Sequence, residues 1–247
     1  MESVTTTIEC LKDSPYDNDN AVVYTEESVI AYKGIYNKII KRVIDLLISV
    51  ILSVVILPLF LIISIAIVID SKFPILYRAN RGGYKNKTFK ICKFRTMVQN
   101  ADKIGGPTTG LNDPRITKVG VFLRKTKLDE IPQLFNIIMG QMSFVGPRPE
   151  VLQYVNRFEG VEKLILQVRP GITDYSSLKF INLDEIVGSQ NVDEIFETVV
   201  LKQKNVLRVK YVATVSFITD VALFLKTVRR VIRKFFRVLS KKLRAKD

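Results

Sequence analysis

Two adjacent carboxylates, Asp129 and Glu130, open a segment in which Leu128, Ile131, Leu134, Phe135 and Ile138 recur at three- and four-residue spacings. That spacing predicts one face of a helix. Pro132 has no backbone N–H and fits a helix in its first turn but not deeper. The helix must therefore start near Leu128 to Ile131, with both acids at its N-terminus and Gly140 as its stop. Unpaired N–H groups and the helix dipole at such an end favour anions, so it would keep Asp129 ionised and could hold a phosphate. Acids also occupy first helical turns for purely structural reasons, so the pair needs support from the elements around it.

Composition narrows the chemistry. The chain has 247 residues, 47% of them hydrophobic, and a net charge of +14, a balance that suggests a basic protein meeting a membrane. It has no histidine, which excludes imidazole acid–base catalysis, a Ser-His-Asp triad and His-ligated zinc. Cys10 and Cys92 lack metal-ligand spacing and suggest a reducing compartment without a disulfide framework. No internal repeat or P-loop is present, and Gly82-Gly83 is too short for a dinucleotide fingerprint.

Residues 1–34 hold seven Asp/Glu against two Lys and no sustained amphipathic period, which predicts a polar extension, poorly ordered or loosely docked. Residues 35–70 predict a membrane segment. From Leu46 to Ile69 there is no charge over 24 residues, about 36 Å as a helix. The run is too long and too far from Met1 for a signal peptide. A single crossing is the simple reading, and three features favour a bent, re-entrant helix instead. Pro58 interrupts the hydrogen-bond ladder at the centre. Basic residues flank both ends, Lys38, Lys41 and Arg42 before and Lys72, Arg78 and Arg81 after, placing both on the cytoplasmic side. Asp45 sits one turn inside, in reach of Arg42 or Lys41.

Residues 71–220 predict the core. From Ser71 to Lys127 there are fourteen Lys/Arg against two Asp/Glu, a field suited to an anionic substrate or to anionic lipid. Pro74 to Tyr77 and Phe89 to Phe94 read as strands joined by a turn over Arg81 to Asn86. Thr96 to Gly110 reads as loop, Glu150 to Gln167 as helix, Val168 to Thr173 as a turn, and Asp193 to Lys210 as helix. Residues 221–247 carry an apolar stripe through Val221, Phe224, Leu225, Val228, Ile232 and Phe236, with ten basic residues from Lys226 to Lys246. That pattern predicts an interfacial helix on anionic lipid; a nucleic-acid arm is the runner-up, disfavoured by the continuous apolar stripe. The expected fold is α+β and helix-dominated, with a small strand pair, a kinked membrane helix and a C-terminal interfacial helix.

In this setting the chain resembles the monotopic phosphoglycosyl transferases, the bacterial sugar transferases that start glycoconjugate assembly, in their small form. The resemblance runs from about Lys38 to the C-terminus. It rests on Lys41-Arg42-Val43-Ile44-Asp45, on Phe89 to Met97, on Asp113-Pro114-Arg115-Ile116-Thr117, on Leu128 to Asn136, on Met142 to Pro149 and on Val168 to Thr173. It implies transfer of a sugar 1-phosphate from a nucleoside diphosphate sugar, usually a UDP-sugar, to polyprenol (undecaprenyl) phosphate with release of UMP. It implies Asp129 as nucleophile forming a covalent phosphosugar intermediate and Glu130 as ligand of an essential Mg2+. The location implied is the cytoplasmic face of the inner membrane, among anionic lipids and without nucleic acid; a homo-oligomer is left open.

That chemistry is coherent with the residues. A carboxylate can accept a phosphoryl group and divide one hard step into two. Attack on a diphosphate brings anions together, and magnesium, held by one or two carboxylates and the substrate phosphates, neutralises them without histidine. Arg148, fixed between two prolines, is the first candidate for a phosphate contact, followed by Arg124 and Arg95, then Arg115 and Lys93; each could equally be a surface or lipid-facing cation. The chain departs from the family pattern at Leu57-Pro58, where many members have Ser-Pro, leaving Ser53 as the nearby hydroxyl. It departs again at Asp174 to Phe180, where many have Gly-Trp and a later Gly-Arg-Asn. Lys179 is the only stand-in there, and the sugar stays undecided.

Overall fold

The computed structural model describes residues 8–9, 23–106 and 108–244. The chain is helix-dominated, as expected, with strands in short pairs. A strand Ile8–Glu9 (β1) pairs antiparallel with Val23–Tyr24 (β2). The predicted order of the N-terminal extension falls largely outside the described residues, but its last part is docked: Val29 is wholly buried and shares a core with Val145, Tyr211 and Val212.

Helix α1, Lys41–Ser71, runs unbroken across Pro58. Loss of one N–H does not end a helix whose ladder continues on both sides, and the side chain of Ser53 bonds to Ser49 O at 2.7 Å, away from the proline. Both ends of α1 are tied to the same domain. At its start, Arg42 donates to Ile137 O (2.5 Å) and Ile138 O (2.8 Å), and Asp45 accepts from Phe144 N (3.3 Å). At its end, Asp70 accepts from Val119 N (2.9 Å), and Arg95 donates to Ser71 O (2.5 Å) and Phe73 O (3.0 Å). Asp45 is thus not paired with Arg42 or Lys41; Lys41 binds Asp220 instead, where Tyr36 (2.7 Å) and Tyr211 (2.7 Å) also donate. Between these anchors α1 leaves Val54, Val55, Ile62 and Ile65 exposed, and it is long and apolar enough to cross a membrane.

The predicted hairpin forms from β3, Leu76–Gly82, and β4, Thr88–Phe94, in register from Leu76 opposite Phe94 to Gly82 opposite Thr88. Helix α2, Lys118–Thr126, is capped by Thr117, whose hydroxyl accepts from Gly120 N at 3.0 Å. Lys127 follows in the left-handed region (φ 62°) and turns the chain into the acidic pair. That pair lies on a 3-10 turn, Leu128–Glu130, and the helix proper, α3, is Gln133–Ile138 with Pro132 at its N-cap. Leu134 and Ile137 face the core, whereas Phe135 is 44% exposed beside Phe60 of α1.

A parallel pair was not foreseen: β5, Ser143–Val145, lies beside β6, Gly171–Thr173. It brings the Val145-Gly146-Pro147-Arg148-Pro149 and Arg169-Pro170-Gly171 motifs backbone to backbone. A Cβ on Gly171 would stand 2.1 Å from Gly146 N, so any side chain there would part the strands. The helix expected over Glu150 to Gln167 is not continuous. Leu152–Val155 makes one helical turn and Gly160–Gln167 runs as 3-10, divided at Gly160 with φ 48°. Helices α4, Tyr175–Lys179, and α5, Leu201–Thr214, complete the core, the latter entered through a π-helical turn, Phe196–Val200.

Helix α6, Phe217–Arg244, begins four residues before the predicted start, and its first turn carries Asp220 to Lys41. Its amphipathicity is inverted relative to a core helix. Leu223, Thr227, Arg230 and Lys234 face the protein, while Ile218, Leu225, Ile232 and Phe236 are exposed.

Candidate active site

The dyad is buried where the basic residues converge. Asp129 and Glu130 are 7% and 9% exposed. Arg148 from the loop after β5 donates through Nη1 to Glu130 Oε2 at 3.1 Å and through Nη2 to Oε1, and Lys93 on β4 adds Nζ to Oε1 at 3.3 Å. Burial alone would raise the Glu130 carboxyl, but Arg148 and Lys93 outweigh it and hold the group well below its usual range. Asp129 goes the other way. Burial and the neighbouring Glu130 charge push it up, opposed by Lys93, Lys127 and Arg124. Two adjacent acids thus have separated tendencies, the pattern expected of carboxylates with different roles.

The site has polar capacity left over. Asp129 Oδ1 and both amide atoms of Gln133 are buried without a partner among the described residues. Gln133 follows Asp129 by four residues and is wholly buried. Among the described residues no cluster of three or more Asp, Glu, His or Cys could cage a metal. The donor set fits a magnesium ion held by one or two carboxylates and completed by substrate phosphates. The unpartnered oxygen is on Asp129, whereas both Glu130 oxygens accept hydrogen bonds, Oε2 only one at 3.1 Å, which leaves it a lone pair for a cation.

The seven residues singled out in the sequence divide into two groups. Glu130, Arg148 and Lys93 meet directly, and Asp129 beside them feels Lys93 and half-buried Arg124 through their charge. Arg95 and Arg115 do not join them. Arg95 caps the last carbonyls of α1, and Arg115 holds Asp113 (2.6 Å) together with the carbonyls of Gly106 (3.0 Å) and Ala101 (3.2 Å). Their guanidinium groups bond to the chain's own oxygens, with Arg95 Nε left without a partner among the described residues. Lys179 lies over the Phe180 ring at 5.8 Å.

Sequence reasoning missed the supports. Asn136 joins α3 to β4, donating to Lys90 O (2.8 Å) and accepting from Cys92 N (2.8 Å). At the other end of α3, Arg169 donates to Gly140 O (3.1 Å) and stacks over Tyr84 at 4.9 Å. Glu150 pins the Arg148 loop to α5 through Arg208 (2.5 Å) and Lys204 (3.2 Å). A polar residue inside an otherwise apolar helical face, as with Asn136 and Arg208, was the available signal.

Burial would raise Glu150, but Lys204 and Arg208 bring it down from 4.5 to about 2. A depressed carboxylate contributes stability present above pH 4.5 and lost as pH falls through about 2, here about 3 kcal/mol. Glu150→Gln is expected to lower the Tm of detergent-solubilised protein at pH 7 by roughly 6–12 °C and to flatten its acid dependence. An unchanged Tm would show that the triad contributes nothing.

Comparison with known proteins places the chain in a family. A family model described as bacterial sugar transferase matches residues 36–234. The chain is 32% identical over 181 residues to UDP-N-acetylgalactosamine-undecaprenyl-phosphate N-acetylgalactosaminephosphotransferase of Aeromonas hydrophila, covering 72% of this chain and 40% of that protein. It is 42% identical over 126 residues to UDP-glucose:undecaprenyl-phosphate glucose-1-phosphate transferase of Klebsiella pneumoniae, covering 49% and 27%. It is 40% identical over 131 residues to the exopolysaccharide production protein ExoY of Sinorhizobium fredii, covering 47% and 58%. The matched stretches thus span less than two thirds of each of these relatives.

Proposed function

The chain belongs to the bacterial sugar transferase family, and from that premise we propose that it moves a sugar 1-phosphate from a UDP-sugar to undecaprenyl phosphate at a membrane surface. The observation that carries this reading is the divided dyad: a buried Asp129 with a free oxygen beside a Glu130 held ionised by Arg148. Asp129 attacks the sugar-bearing phosphorus, an oxygen–phosphorus bond forms, and UMP leaves with the electron pair of the bond that breaks. An oxygen of the acceptor phosphate then attacks the same phosphorus, releasing the Asp129 carboxylate and a polyprenyl diphosphate sugar. Arg148 and Lys93, the cations bound to Glu130, are placed to follow the charge as it passes to the diphosphate. Asp129 and Glu130 would hold magnesium, which when bound neutralises the phosphate oxygens.

The anchors of α1 support the membrane reading. A straight crossing would carry one end of the helix away from the domain, yet Arg42 and Asp70 fasten both ends to it. We read α1 as a helix that enters one leaflet and returns with its exposed apolar side in lipid, α6 lying alongside at the interface. With the basic flanks on the cytoplasmic side, the dyad faces the headgroups. The relatives are named for different sugars, N-acetylgalactosamine and glucose, so the donor is not fixed by resemblance.

The test is incubation of the protein with undecaprenyl phosphate, Mg2+ and a panel of UDP-sugars. UMP release with at least one donor is the expected result, and none across a broad panel would refute the activity.

A further inference from the structure

Gln133 is wholly buried, yet neither its Nε2 nor its Oε1 has a partner among the described residues. An amide sealed off without hydrogen bonds destabilises the fold, and an apolar side chain of the same size would not. Its place follows from the winding of the dyad segment. Glu130 N bonds to Lys127 O, Ile131 N to Leu128 O, Leu134 N to Ile131 O and Phe135 N to Pro132 O, all at three-residue spacing. A chain wound in this way stacks residues i and i+3, so Glu130, Gln133 and Asn136 share one face. The two outer members show where that face looks. Asn136 is bonded to Lys90 O and Cys92 N, and Glu130 to Lys93 Nζ, so Gln133 lies between them along β4. A second orphan lies just before it on the same winding. Asp129 Oδ1 is buried and unpartnered, whereas Oδ2, also without a hydrogen bond among the described residues, is not sealed from solvent. One carboxylate oxygen thus turns into the protein and the other opens outward, and the nearest amide along the chain has a free N–H.

We propose that Gln133 is a positioning residue: in the reacting complex its amide N–H binds Oδ1 of Asp129 and leaves Oδ2 to attack phosphorus. This rests on the transferase reading above. Neither amide atom is engaged, so the group can turn without breaking a bond, and hydrogen bonds at reacting groups are often open in the free enzyme and close around the substrate. The contact fixes the plane of the carboxylate during attack. When the acceptor discharges the intermediate, the same N–H meets the charge returning to Asp129. An unsatisfied amide kept in the core at the expense of stability fits such a duty.

The experiment replaces the amide by apolar side chains of similar volume, Gln133→Met and, should that protein not fold, Gln133→Leu. Steady-state kinetics with UDP-sugar, Mg2+ and undecaprenyl phosphate are read beside a thermal melt of the same preparation. Either variant is expected to lower kcat about 10²-fold, the effect of a slightly misplaced reacting group, at an unchanged donor KM. Its Tm should stay level or rise, because two unpaired polar atoms leave the core. A merely structural amide would move the two readouts together, activity falling with Tm. An unchanged kcat, a loss of activity matched by a lower Tm in both variants, or a raised donor KM at full kcat would each overturn the assignment; the last would make Gln133 a substrate contact. If wild type releases no UMP, it is the transferase reading that fails. If wild type turns over and the variant matches it, only the role of Gln133 fails.

Discussion

Asp129→Asn is expected to abolish turnover, with kcat down by about 10⁴-fold or more, while leaving the protein at least as stable as wild type. The first half follows from chemistry: an amide oxygen is a poor phosphoryl acceptor, the chain has no histidine, and the neighbouring Glu130 is held by Arg148 and Lys93. The second half follows from the structure. Burial and the adjacent Glu130 disfavour a charge on Asp129, and its Oδ1 has no partner to lose. Removing that charge relieves a cost carried for function, so Tm should stay level or rise as activity disappears. UMP release and a thermal melt on the same preparation check both halves. Turnover within tenfold of wild type would remove Asp129 from the nucleophile's role.

Arg148→Ala should lower kcat/KM for the donor by about 10²–10³-fold, the scale seen when one fixed donor to a developing anion is removed. Arg148 now makes both hydrogen bonds of a forked contact to Glu130, leaving Lys93 as the remaining cation on that carboxylate once it is gone. Glu130 would then lose the charge that most strongly holds it ionised. Arg148→Lys should recover less than tenfold, because an ammonium offers a point charge where the site presents two oxygens to a planar fork. Parallel donor titrations of the three proteins give the answer; full activity in the lysine variant would show that forked geometry is not required.

The local features of this site were legible in the sequence. Pro132 marked the helix start to within a few residues, although the acids expected in its first turn lie on a separate 3-10 turn, and the turn over Arg81 to Asn86 marked the hairpin, although its first strand runs on from Leu76 to Gly82. What stayed hidden depends on contacts between distant segments. The strands β5 and β6 are three residues each, too short for a period to show, and only the tight approach of Gly146 to Gly171 distinguishes them. Arg95 and Arg115 carry the same charge as Arg148, and nothing local reveals that carbonyls of α1 and of the loop after Ala101 consume them. The stripe on α6 was visible, but a stripe does not say which face turns inward; the structure puts Thr227 and Lys234 inside and the apolar face out. Phe135 illustrates the same point within α3, since it belongs to the apolar period yet is exposed beside α1.

The central claim is that Asp129 itself carries the sugar phosphate between donor and acceptor. The direct measurement is peptide mass spectrometry of wild-type protein incubated with Mg2+ and the active UDP-sugar in the absence of undecaprenyl phosphate. The account predicts a mass increase of one sugar phosphate on the peptide containing Asp129, discharged when acceptor is added and absent from Asp129→Asn. An adduct on another residue, or none at all while turnover proceeds normally, would contradict it.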